Sequence, residues 1–181
     1  MNKISLILFL MAGFWTKAHT QMLPPYQNPS VIQINKLPAR AVSMSYPNEV
    51  LALQADRLAS PRRLSLDGQW DFNWYKNPGL APEDFFTSQF KIQDWSAINV
   101  PSNWELEGFG KPWHRLTHQV WEDTGVKAPF VPEDYNPVGL YRRSFEMPEE
   151  WSDMQITLHI GAATSALYVY VNGQFVGYSE D

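Results

Sequence analysis

The sequence predicts an all-β fold: two sheets packed as a β-sandwich behind an extended N-terminal arm. Three observations carry that expectation. Several short stretches alternate apolar and polar residues with period 2, as a strand with one buried face does. Fourteen Pro and ten Gly interrupt the 181 residues often enough to disfavour long helices. Between "ALYVYV" and "QFVGYS" stands Asn172-Gly173, the pair favoured in a two-residue type I′ turn because both central positions need positive φ. Short antiparallel strands without a long helix bury their apolar faces by sharing a core between two sheets. With 44% apolar residues, eight Trp, eight Tyr and ten Phe, the chain is rich enough in core-forming side chains for one domain of ordinary size.

The elements follow in chain order. "MNKISLILFLMAGFWTKAHTQ" places a Lys before an apolar run from Ile4 to Trp15 and then small and polar residues. This is the layout of a secretory signal peptide over residues 1–20, too short to span a bilayer comfortably, and it predicts export to the periplasm or the medium. A short hydrophobic anchor is the alternative. Residues 21–63, dense in Pro and Asn, read as an extended arm that needs another surface to hold it. Within it "NEVLALQADRLAS" fits a short helix ended by Pro61. Strand signals begin at Leu64: Asp67-Gly68 marks a turn, and Trp70, Phe72 and Trp74 then recur with period 2. "PGLAPEDFF" reads as a loop with a helical turn, and Ile98 to Val100 as a short strand closed by Pro101. From Ser102 to Pro137 the chain is irregular, and its aromatics Trp104, Phe109, Trp113, Trp121, Phe130 and Tyr135 favour an ordered, functional loop over a disordered one. Strands resume in "VGLYRRSFEMP", with Tyr141, Arg143 and Phe145 on one face and Leu140, Arg142 and Ser144 on the other. "MQITLHIG" alternates Ile156, Leu158 and Ile160 with Thr157 and His159, and the Asn172-Gly173 hairpin follows. Ending on a hairpin arm leaves unpaired edges, so the sandwich is expected to be truncated on its C-terminal side, a piece of a longer protein.

Charge and motifs exclude more than they assign. The formal charge of −5 becomes −7 once a signal containing Lys3 and Lys17 is removed, and no basic run offers a footprint for nucleic acid. With no Cys there is no disulfide, zinc–thiolate site or thiol nucleophile in this segment. Nucleotide-binding glycine loops, H-E-x-x-H and G-x-S-x-G are all missing. Glu122/Asp123 and Glu133/Asp134 are carboxylate pairs, yet adjacency in a loop says nothing about the separation that glycoside hydrolysis requires. His114 and His118 stand four apart, a metal-ligand spacing only on a helix, which Pro112 disfavours, so no metal site is assigned. Trp113-His114-Arg115 combines a ring that stacks on sugar with two polar groups for hydroxyls or an acid; the alternative is that Trp113 packs the loop and Arg115 pairs with a carboxylate.

In order along the chain, "QNPSVIQINKLPARAVSMSYP", "SPRRLSLDGQWDFNW", "INVPSNWELEGFG", "APFVPEDYNPVGLYRRSF" and "LYVYVNGQFVGYSED" resemble the start of the large β-galactosidases of glycoside hydrolase family 2. The likeness runs from Gln27 to Asp181. It implies that residues 64–181 form an incomplete jelly-roll, a galactose-binding-like sugar-binding domain, followed in the parent protein by further sandwiches and a TIM barrel. It implies a retaining β-galactosidase whose two catalytic glutamates lie beyond Asp181, so no catalytic residue is expected here. Another specificity of the family, of β-glucuronidase or β-mannosidase type, and a free-standing carbohydrate-binding sandwich are the alternatives. Family members carry a P-I-Y-T-N loop whose Asn bonds galactose; here the segment is Pro112 to Leu116, and Leu116 cannot make that bond. The substrate-contacting residues implied are therefore Trp113, His114 and Arg115. The expected partners are a carbohydrate substrate, downstream domains of the same polypeptide and a second copy of the intact enzyme; magnesium and sodium are cofactors of the family without assignable ligands here.

Overall fold

The structure is a computed structural model and describes residues 23–112 and 124–180. The expected signal, residues 1–20, and the segment with Trp113, His114, Arg115, Leu116 and His118 lie outside the described residues.

The described chain is all-β apart from one six-residue helix and short 3-10 turns. In order it forms β1 (Gln33–Ile34), α1 (Glu49–Gln54), β2 (Gly68–Tyr75), β3 (Ser96–Val100), β4 (Val138–Arg142), β5 (Ala166–Val171) and β6 (Gln174–Glu180). Two antiparallel three-stranded sheets result, ordered β3-β2-β4 and β1-β6-β5. This is a two-sheet, sandwich-like arrangement.

The expected aromatic strand is the centre of the first sheet. Trp70 faces Ile98 across β3, and Phe72 faces Tyr141 across β4. Phe72 is wholly buried and Ile98 nearly so. The Phe72 ring meets Phe109 and Tyr141 at 4.7 Å and Trp104 at 6.2 Å, so aromatic residues from the long connection roof this face. Leu140 pairs with Asn73, points to the opposite face and is also buried.

A loop joins the sheets. Phe86 stacks on Tyr170 of β5 with ring centroids 4.6 Å apart, and Phe85 meets the same ring edge-on at 5.6 Å. From the first sheet, the Arg142 guanidinium donates to the Thr87 and Phe90 carbonyls. Residues 85–90 are thus held by rings on one side and by a charged fork on the other. In the second sheet Tyr168 packs on Tyr178 at 4.7 Å, and the hairpin closes through Asn172 and Gly173 at φ 50° and 78°. The pairing jumps from Val169↔Gly177 to Tyr170↔Phe175, which leaves Val176 as the extra residue of a β-bulge.

The arm finds its surface on the same chain. β1 pairs with β6 through Gln33↔Ser179 and Ile34↔Tyr178. The Glu180 amide donates to the Ile32 carbonyl, the Asn35 side chain to the Val176 carbonyl and the Lys36 ammonium to the Ser179 hydroxyl. Further along, α1 begins at Asn48, whose side chain accepts from the Leu51 amide. It stops at Ala55, in the left-handed region, six residues before Pro61.

Three local expectations are corrected. "MQITLHIG" forms no strand: Ile156, Leu158 and Ile160 are between 43% and 47% exposed. Alternation makes a segment fit for a sheet, but a strand exists only where a neighbour accepts its ladder, and no described strand lies alongside this one. β4 ends at Arg142 rather than continuing to Phe145, since its ladder on β2 stops at the Asp71–Arg142 pair; the Arg143 guanidinium beyond it donates to the Leu66 and Asp67 carbonyls, 2.8 Å from each. The Asp67-Gly68 pair closes no turn; Gly68 opens β2 at φ 120° beneath that guanidinium.

Candidate functional site

The long connection between β3 and β4 carries the residues to which the sequence points, and the first sheet fixes both its limbs. On the outgoing limb, backbone bonds from Leu106 to Asn103 and from Glu107 and Phe109 to Trp104 wind residues 103–109 into consecutive turns. These turns press Trp104 and Phe109 onto Phe72. Gly110, at φ 71°, then passes so close to Trp74 that a Cβ there would lie 3.1 Å from its indole nitrogen. Trp113, His114 and Arg115, which begin three positions later, lie outside the described residues, as do Glu122 and Asp123.

The returning limb is described from Thr124. The Asn136 amide donates to the Lys76 carbonyl and ties the limb to the end of β2. Pro132 is buried, while Phe130 on the same limb is 56% exposed. Together with Gln27 from the arm, the returning limb forms an open concavity of about 670 Å³ lined by Val126, Phe130, Pro132, Glu133 and Asp134 among others. The Glu133/Asp134 pair therefore sits at a concave surface. Their carboxylates make no ion pair or hydrogen bond among the described residues.

A second concavity, of about 350 Å³, lies on the first sheet and is lined by Gln69, Asp71, Ala97, Arg142, Arg143 and Ser144. Asp71 and Arg142 are cross-strand partners, yet Arg142 spends its guanidinium on loop carbonyls rather than on that carboxylate. Alternation in "GQWDFNWY" placed Gln69 and Asp71 on one face; the convergence of Arg142 and Ser144 beside them depends on strand pairing and had no signal along the chain.

Tyrosines in both sheets have raised pKa values. Burial, with the Glu105 charge adding to it, pushes the Tyr141 phenol up to about 12. Tyr168 is likewise raised to about 12, chiefly by burial. Tyr178 is raised by burial and by donating its hydroxyl to the Glu180 carboxylate, which holds the proton in place. Among the described residues no three of His, Cys, Asp and Glu gather closely enough to hold a metal ion, and His159 is exposed in the unpaired segment before β5.

Similarity to known proteins bears on what this loop-bearing sandwich belongs to. The β-galactosidase of Priestia megaterium is 39% identical over 155 residues, which cover 85% of this chain and 15% of that protein. The β-galactosidase of Halalkalibacterium halodurans is 35% identical over 153 residues, covering 84% and 15%. That of Aeromonas hydrophila is 36% identical over 163 residues, covering 86% and 15%. The chain thus spans about one seventh of the length of these relatives. The family model of the glycosyl hydrolases family 2 sugar binding domain matches residues 64–181, from the approach to β2 through the closing hairpin. The chain belongs to the glycosyl hydrolase family 2 sugar binding domain family.

Proposed function

We propose that this chain is the N-terminal, non-catalytic part of an exported, retaining β-galactosidase that removes terminal non-reducing β-D-galactose from β-galactosides. The observation that carries the reading is similarity, at 31–39% identity, to proteins named β-galactosidase over a stretch that makes up only 14–17% of their length. On this reading residues 64–181 are the greater part of a jelly-roll domain that the downstream polypeptide completes. Both catalytic carboxylates are supplied by that downstream polypeptide: one Glu forms the glycosyl-enzyme, and the other protonates the leaving group and then activates water. Magnesium and sodium are proposed as cofactors of the full-length enzyme. The apolar run of residues 4–15 supports export.

Trp113, His114 and Arg115 are proposed to reach the substrate, with Leu116 in place of the Asn found in relatives of the large β-galactosidase type. Arg115 then favours a galactoside that carries an acidic or otherwise modified group.

The test is to express the intact polypeptide that contains this chain and assay aryl β-galactoside, β-glucuronide and β-mannoside, following the anomer released by NMR. Hydrolysis of the galactoside with retention is expected, together with no turnover by residues 1–181 alone. Turnover of the glucuronide or mannoside in its place overturns the assignment. An R115A variant with unchanged activity on every galactan oligosaccharide removes Arg115 from the substrate contacts.

A further inference from the structure

The returning limb of the long connection builds a concavity of its own with the arm. We infer that the cavity between the arm and residues 124–134 is a saccharide subsite for a neutral, hydroxyl-rich glycosyl unit, with Phe130 as its platform and Glu133, Asp134 and Gln27 as its hydrogen-bonding groups. This rests on the sugar-binding reading proposed above and adds a second point of contact to it.

Four observations converge. The volume, about 670 Å³, falls in the range of sites that hold small molecules. Phe130 is 56% exposed, although its neighbour Pro132 is buried and its own amide is bonded to the Lys127 carbonyl at 3.1 Å. An apolar ring is thus presented to water on a tethered backbone, as a flat surface for the C–H face of a pyranose. The Glu133 and Asp134 carboxylates have no ion-pair or hydrogen-bond partner among the described residues; being acceptors only, they suit a ligand rich in hydroxyl donors. Gln27 closes the other side with an amide that both donates and accepts, and a 3-10 turn holds its backbone through its amide and the Pro24 carbonyl at 2.9 Å.

The same lining decides the class of sugar. Among the described residues it contains two carboxylates and no Lys or Arg, so a uronate or sulfated sugar would bring like charge to like charge. A metal is a poorer fit than a sugar, because no third acidic or imidazole ligand is within reach among the described residues. A single exposed Phe or a solvated carboxylate is ordinary surface. Their meeting in one concavity, on a limb pinned to the first sheet, is what separates this place from the rest of the surface.

The experiment titrates the full chain, labelled with 15N, with lactose and separately with methyl β-D-glucuronide. Lactose is expected to shift the amides of residues 125–134 and the Gln27 side-chain amide, and the glucuronide to leave them unmoved. F130A should weaken lactose binding about five- to tenfold, from the loss of one aromatic contact, while F130W keeps it. The double variant E133Q/D134N should weaken lactose and admit the glucuronide. Because these side chains are exposed, unchanged amide spectra outside 124–136 will show that each variant folds. No lactose-dependent shift in 125–134, or F130A binding as the parent does, overturns the subsite. That result with galactosidase activity intact in the longer polypeptide leaves the proposed function standing. Lactose binding at Phe130 without any galactosidase activity overturns the proposed function and not the subsite.

Discussion

Gly139 sits where β4 passes beneath two rings. A Cβ added there would lie 2.6 Å from the Trp104 ring and 2.7 Å from Phe72, closer than real carbon atoms approach. Neither ring can retreat freely, since Phe72 is wholly buried and also packed against Phe109 and Tyr141. Gly139→Ala should therefore destabilise the chain by about 1–3 kcal/mol through overpacking, read as a lower urea midpoint with an unchanged slope. An unchanged midpoint would mean that the Trp104 roof is not seated on β4 in solution. This is also where reading the sequence stops short at the scale of single residues. Period-2 alternation identified Phe72 as a core residue, because burial on one face is written into the pattern. Nothing in "NPVGLYR" says that its Gly is required, because the obstructing ring comes from a loop 35 positions away.

Among the elements, the hairpin and the arm show opposite degrees of legibility. Asn172-Gly173 needed only the local φ preferences of two residues, and both are positive as expected. The arm's residues 33–34 carry no strand signal of their own and become β1 because β6 offers a free edge. That docking depends on Gly177, where a Cβ would stand 2.8 Å from the Ile34 carbonyl oxygen, a backbone atom fixed by the ladder. Gly177→Ala should release the arm: the Glu180 amide, bonded to Ile32, should lose its hydrogen-exchange protection, while the β2–β3 and β2–β4 ladders keep theirs. Retained protection at Glu180 would show that the arm can shift to accommodate a methyl group. "MQITLHIG" failed for the complementary reason. It has the alternation of a strand, and β1 has almost none, yet the one with a paired neighbour is the one that forms a ladder.

For the molecule as a whole, three tyrosines tie stability to alkaline pH: Tyr178 is buried, Tyr168 half-buried, and Tyr141 keeps part of its ring exposed. An unfolded tyrosine ionises near 10, whereas Tyr141 and Tyr168 do so near 12, and Tyr178 is also raised. Above the unfolded value the unfolded chain holds fewer protons than the folded one. The stability these phenols contribute is thus full below about pH 10 and is lost progressively as the pH rises towards 12. Urea midpoints should fall across that window, and ultraviolet titration should find a late-ionising class of tyrosines that merges with the rest in denaturant. A single tyrosine transition near 10 in the folded chain would contradict the packing of both aromatic clusters. Tyr168 and Tyr178 lie in the second sheet and Tyr141 in the first, so the titration reports on both halves of the fold.

By itself the sequence determined the all-β class, the aromatic central strand, the closing hairpin, the short helix and the family. These follow from local backbone preference, from side-chain period and from the order of motifs, all of which are written along the chain. Only the tertiary structure decided that the arm becomes a sheet edge, that Arg142 and the rings of residues 85–90 join the two sheets, and that Phe130 meets Glu133, Asp134 and Gln27 around one cavity. The physical reason is that each of these depends on which distant backbone supplies a free donor, acceptor or open edge. That is a property of the assembled molecule and of no single stretch within it.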